Sequence, residues 1–295
     1  MKVIGKSLHV SFLRVCAVAL FVSLLTISLC DAAESVGKTD SETKGYNCLF
    51  LGHSFFCPIA NRFGQLPARC GFTAHKQMVV MHGGQGGSPG MLWVAHDKEV
   101  NQGKELLVTG RVDLLGMTYY PGMGSDISDY RHWIDLALQY NPKTKVFIQM
   151  PWPTYKGKTL AEYEAEAERG TVLMHQLIDQ LRQSYPQTTF LFIPQAATMV
   201  ALWHLHDQGK LPEVAVIKRE NGTDKRSCLF NDDLGHGGSI PVDMGALLWL
   251  AILYKVDLRT YQYSINTQFD LKALAQEIAE KDPYCGLDAT GKNKK

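Results

Sequence analysis

Five short apolar runs, each followed by a stretch of helical periodicity, limit what this chain can fold into more than any other feature. They are Leu49-Phe50-Leu51, Gln77-Met78-Val79-Val80-Met81, Val112-Asp113-Leu114-Leu115-Gly116-Met117, Lys145-Val146-Phe147-Ile148-Gln149-Met150 and Thr189-Phe190-Leu191-Phe192-Ile193. The runs are continuous rather than alternating, so both faces of each strand must be covered. Helical segments over 59–70, 91–101, 126–140, 160–185 and 196–208 supply that cover. This order predicts an α/β fold, with a five-stranded parallel sheet between helical layers. A last helix, Met244 to Tyr254, is apolar nearly all round and should be buried. The segment from Val214 to Leu229 reads as irregular, and neither an internal repeat nor a second-domain boundary is visible.

In a parallel sheet the functional loops gather at the carboxyl ends of the strands. Four distinctive stretches stand there. Gly52-His53-Ser54 follows the first run, and the glycine-rich His82 to Gly90 loop follows the second. Thr118-Tyr119-Tyr120 follows the third, and Pro151-Trp152-Pro153 the fourth. A serine hydroxyl becomes a nucleophile when a histidine takes its proton and a carboxylate holds that histidine in the right tautomer. Asp233-Leu234-Gly235-His236, just before the last helix, offers both partners to Ser54. The bland alternative is a strand-end serine and an Asp-rich helix cap. A rival nucleophile is Ser88, because Gly86-Gly87-Ser88-Pro89-Gly90 fits Gly-x-Ser-x-Gly. Its context counts against it, since Ser88 follows a loose run of glycines rather than a sharp strand-to-helix turn.

Together, Gly52-His53-Ser54 and Asp233-x-x-His236 resemble the first and last blocks of the SGNH (GDSL-like) hydrolases. The resemblance runs in element order from Tyr46 to Tyr254. It implies a three-layer α/β/α sandwich of flavodoxin-like type and an esterase with Ser54 as nucleophile, His236 as base and Asp233 as its orienting acid. It also implies an oxyanion site built from the amides of Ser54 and of Gly87 or a neighbouring glycine. The family's further oxyanion donor is an asparagine after the third strand. No asparagine stands there, so Thr118 or Tyr119 is the substitute on offer. Losing one such donor costs on the order of 10²–10³ in rate. The aromatic residues Tyr119, Tyr120 and Trp152 are candidates for holding a sugar or acyl group, with packing as the alternative for each.

The remaining signals bound the setting. A formal net charge of +1 over 295 residues argues against nucleic acid as the partner. Lys2, Lys6 and Arg14 precede an apolar stretch from Val15 to Leu29 and small residues at Ala32-Ala33. Residues 1–33 therefore read as a secretory signal, and 34–45 as a polar linker ahead of one domain over 46–295. The expected location is secreted or periplasmic, with no stable membrane span after cleavage. Lipid attachment at Cys30 ranks below this because Leu29 is bulky. Of seven cysteines, removal of Cys16 and Cys30 leaves five. Cys57 with Cys70 and Cys228 with Cys285 could pair, but most read as buried apolar residues. No His-Glu-x-x-His or Cys-x-x-Cys occurs, and two histidines two apart on a helix (His204 and His206) cannot share a metal. No metal or organic cofactor is expected. The substrate expected is a small-molecule or glycan ester, such as an O-acetylated carbohydrate. The competing expectation is a catalytically weak or inactive carbohydrate-binding protein on the same fold.

Overall fold

The strands β1 (Asn47–Gly52), β2 (Lys76–Met81), β3 (Leu114–Thr118), β4 (Lys145–Gln149) and β5 (Phe190–Ile193) form one sheet in the order β2-β1-β3-β4-β5. Every neighbouring pair is parallel. This is the flavodoxin-like order, whose direction of winding reverses between β1 and β3. The arrangement comes from a computed structural model, which describes residues 44–262 and 265–287. These fall in a single unit, Asp40–Lys295. The expected signal over 1–33 and most of the expected linker over 34–45 lie outside the described residues, as do Cys16 and Cys30. No helix among the described residues is long and apolar enough to cross a membrane.

Successive residues of a strand face opposite sides of the sheet, so Leu49 and Phe50 separate the two helical layers. On the Phe50 side lie α1 (Cys57–Phe63) and α7 (Ser239–Tyr254). Here Phe50 of β1, Phe147 of β4 and Trp249 of α7 meet with centroids 5.0–5.6 Å apart, edge to face. On the Leu49 side, Gly103 of α3 (Lys98–Val108) packs on Leu49 and Val80. That layer also holds α2 (Pro89–Val94), which packs on α4 (Ile127–Tyr140). The remaining helices are α5 (Leu160–Ser184), α6 (Gln195–Asp207) and α8 (Leu271–Lys281).

Gly116 makes the aromatic cluster possible. It stands on β3 directly between Phe50 and Phe147 in register. With no side chain there, the two rings meet across it. A Cβ at that point would lie 2.2 Å from Phe147 Cζ and 2.8 Å from Phe50 Cδ1. Overpacking a rigid core costs about 1–3 kcal/mol, so Gly116→Ala is expected to unfold about 5 °C lower in a circular-dichroism melt. An unchanged midpoint would show that the rings have room to move.

Several boundaries differ from the sequence expectation. The helix expected over 91–101 is two helices, because the Asp97 carboxylate accepts from the Glu99 and Val100 amides and starts a new one. The helix expected over 59–70 stops at Phe63 and is followed by a 3₁₀ turn, Pro67–Cys70. The segment read as irregular holds β6 (Val216–Lys218) and β7 (Cys228–Phe230), a small parallel pair. The unanticipated α8 packs on α7, which accounts for a helix apolar all round. All five cysteines of the described residues are free, so neither suggested bridge forms.

Candidate active site

Ser54 occupies the turn between β1 and α1, where the sheet's winding reverses. The turn is held by the Phe56 and Cys57 amides, which both donate to the His53 carbonyl, and by the Phe55 amide, which donates to His53 Nδ1. None of these bonds uses the Ser54 amide. His236, 182 residues away, comes from the loop between β7 and α7. Its Nε2 lies 2.8 Å from Ser54 Oγ. Its Nδ1 donates to Asp232 Oδ2 at 2.6 Å. A carboxylate on Nδ1 places the proton there and leaves Nε2 free to accept from the serine hydroxyl. The Phe55 ring packs edge-on against the imidazole, 5.0 Å between centroids.

The carboxylate on the histidine is Asp232, not Asp233 as the sequence reading had it. Gly235 has φ of 101°, a left-handed conformation suited to glycine, and this turns the chain back toward Asp232. Asp232 Oδ1 then accepts from the Gly235 amide at 2.9 Å and the His236 amide at 3.1 Å, while Oδ2 takes the imidazole. Burial pushes the Asp232 carboxyl up, but these hydrogen bonds and the histidine charge outweigh it and hold the group below its ordinary value. Asp233 points away. Its carboxylate pairs with Lys218 at 2.7 Å and its side chain is 78% exposed. The loop is tied down elsewhere too. Trp152 Nε1 donates to the Gly235 carbonyl at 2.8 Å, and the Lys156 amide donates to the Asp233 carbonyl at 2.8 Å.

The expected oxyanion residues divide. Gly87 lies against the peptide that leads into Ser54, since a Cβ there would meet the Gly52 carbonyl oxygen at 2.6 Å and His53 Cα at 2.7 Å. Thr118 does not face the mouth. It is fully buried, and its hydroxyl lies 3.1 Å from Gln149 Oε1 and 3.3 Å from His53 Nε2. The Tyr119 amide is taken by the Gln149 carbonyl. Asn231, just before Asp232, turns its side-chain nitrogen to the Gly237 carbonyl. The rival Ser88 is fully buried, and its hydroxyl has no partner among the described residues.

His53 is the buried link between the serine turn and the end of β3. Nδ1 accepts from Phe55, so Nε2 carries the proton and donates to the Tyr119 carbonyl at 3.0 Å. Burial pushes the imidazole down to about 4, against that hydrogen bond, and the nearby His236 adds to the fall. An unfolded histidine titrates near 6.5. Between those values the unfolded chain binds a proton that the folded chain does not. The stability from neutral His53 is therefore complete above about pH 6.5 and is lost as the pH falls toward 4. The loss should reach roughly 3 kcal/mol. Urea unfolding at pH 7 and pH 4.5 checks it, and His53→Gln should flatten the slope. A slope that survives the substitution belongs to another group.

A cavity of about 350 Å³ opens beside Ser54 and His236. Phe55, Pro58, Ile59, Trp152 and Val242 form its apolar wall. Lys225, Asn231, Ser239 and Asp243 are the other polar residues of its lining. Of the three aromatic residues singled out in the sequence, Trp152 lines it while Tyr119 and Tyr120 do not. The two histidines weighed as ligands are engaged singly, His204 with Glu164 and His206 with Asp207. Among the described residues no three His, Cys, Asp or Glu come together as a metal site.

No family model matches the chain, and no curated protein matches it. Among solved structures, it is similar to the periplasmic domain of a lipopolysaccharide acetyltransferase from Salmonella ser. Paratyphi A. The identity is 11% and the TM-score 0.43, over 70% of this chain and 82% of that one. A likeness that distant carries no argument about what this chain does. The fold stands on its own sheet and helices, and the chemistry on the serine, histidine and aspartate at their end.

Proposed function

We propose that this chain is a serine esterase of SGNH type that works through Ser54, His236 and Asp232. The observation that carries the reading is the pair of contacts on one imidazole, 2.8 Å to Ser54 Oγ and 2.6 Å to Asp232 Oδ2. Ser54 Oγ attacks the acyl carbon as its proton passes to His236 Nε2. The tetrahedral oxyanion is held by the amides of Ser54 and Gly87. His236 returns the proton to the departing alkoxide, which leaves as the alcohol and Ser54 as an acyl ester. Water then attacks that ester with His236 again as base, and the acid departs. Asp232 keeps the imidazole oriented and stabilises its charged form. This route needs no metal or organic cofactor.

The family resemblance makes an O-acetyl group on carbohydrate the ester to test first, and the signal-like residues 1–33 support work outside the cytoplasm. Hydrolysis of p-nitrophenyl acetate by the purified chain, beside Ser54→Ala and Ser88→Ala, is the test. Turnover lost only with Ser54 supports the reading, and turnover that persists in Ser54→Ala ends it. A second reading rests on Thr118, whose buried hydroxyl is spent on Gln149 and does not replace the family's asparagine. Absent turnover with measurable glycan binding would make the chain a binding protein on this fold.

A further inference from the structure

We infer that the alcohol part of the substrate carries an anionic group, a carboxylate or a sulfate, and that Lys225 recognises it in the cavity beside Ser54. The inference rests on the esterase reading for its direction. His236 Nε2 must hand its proton to the departing oxygen, so the alcohol lies on the imidazole side of Ser54. The cavity is the space on that side. His236 and Gly237 are in its wall, whereas Gly87, which lies against the Gly52–His53 peptide, is not.

The charges of that wall do not cancel. Asp243 is matched by Arg62, Nε to Oδ1 at 2.6 Å. Asp224, next to Lys225, accepts from the Arg226 amide at 2.7 Å and makes no ion pair with Lys225 among the described residues. Lys218, on the neighbouring β6, is held by Asp233. The Lys225 ammonium has neither an ion pair nor a hydrogen bond among the described residues. Exposed lysines often stand alone, but this one stands in the wall of the cavity that holds the nucleophile. Ser239, in the same wall, adds a hydroxyl donor without a partner among the described residues. Opposite them the wall is apolar, from Phe55, Pro58 and Ile59. An alcohol with a ring or hydrocarbon body and one negative charge complements such a space. The volume, about 350 Å³, is near the lower end for small-molecule sites and suits one such unit at a time.

The test compares the acetate esters of 4-hydroxybenzoate and 4-hydroxybenzamide, nearly the same shape with and without the charge. The wild-type chain should favour the anionic ester, and added salt should erode that preference. In Lys225→Gln the anionic-to-neutral ratio of kcat/KM should fall about fivefold, the size of a solvent-screened charge pair. Lys225→Glu should push it further. Any change common to both esters cancels in the ratio. A ratio that Lys225→Gln leaves alone, or a wild-type preference for the amide, overturns the inference. A second arm uses Ser54→Ala and needs no turnover. Calorimetry with glucuronate, glucose 6-sulfate and glucose should show the first or second binding more tightly than the third, with the advantage lost when Lys225→Gln is added. Which anion binds identifies the group. If the chain has no Ser54-dependent turnover, the esterase reading fails separately, and the binding arm alone decides the anion site. Equal binding of all three sugars would then overturn it.

Discussion

Ser54→Ala is expected to lower kcat for p-nitrophenyl acetate on the order of 10⁶-fold, to near the limit of detection. Removing the serine of such a triad costs about as much as removing the whole triad, because histidine and aspartate have nothing else to activate. What survives comes from the oxyanion amides and from binding, worth about 10³–10⁴ over water. Here that residue should be smaller. With the Thr118 hydroxyl directed to Gln149 and His53, the proposed site is left with the Ser54 and Gly87 amides as its oxyanion donors. One missing donor lowers wild type and variant alike by about 10²–10³. The wild-type rate should therefore be modest and the fractional loss in Ser54→Ala still large. Steady-state rates on both proteins, with folding checked by circular dichroism, measure it. A variant within tenfold of wild type would place the nucleophile elsewhere. Ser88 could not take over without exposing a hydroxyl that is now sealed.

Asp232→Asn is expected to lower kcat by about 10⁴, the effect seen where a triad carboxylate is made an amide. The amide can turn its nitrogen toward His236 Nδ1, and the imidazole then carries its proton on Nε2, facing the serine it should deprotonate. Asp233→Asn provides the contrast. Its partner Lys218 is at the surface, and an exposed pair of this kind contributes under about 1 kcal/mol. Its kcat should stay within about twofold of wild type. The two variants differ by one position and by one atom each, so common effects on expression or solubility do not explain a difference between them. A large loss in Asp233→Asn with a small one in Asp232→Asn would mean that the loop rearranges around substrate.

The distinction between those neighbours marks where reading the chain stops working. Asp232 and Asp233 have the same side chain and nearly the same spacing to His236. A signal was present in Gly235, three residues after Asp232. A left-handed residue there lets the first aspartate, and not the second, collect the amides that follow. The same kind of limit applies to Asp97, whose capping divides a segment of unbroken helical pattern. It applies again to α8, whose amphipathic stretch shows no link to α7 until the two are packed. Thr118 and Tyr119 are candidates because they follow the third apolar run. Position in the chain does not say which way a strand-end side chain turns, and Thr118 turns inward.

The sequence by itself determined the α/β class, the five strands, and the stretches that end at their carboxyl edges. It could do so because continuous apolar runs and helical periodicity are local properties that burial requires wherever the segments lie. The tertiary structure alone decided that His236 reaches Ser54 across 182 residues, that Asp232 is the group behind it, and that Lys225 shares their cavity. Those are distances between segments, set by how the sheet winds and how one glycine turns a loop. No pattern along a single strand or helix contains them.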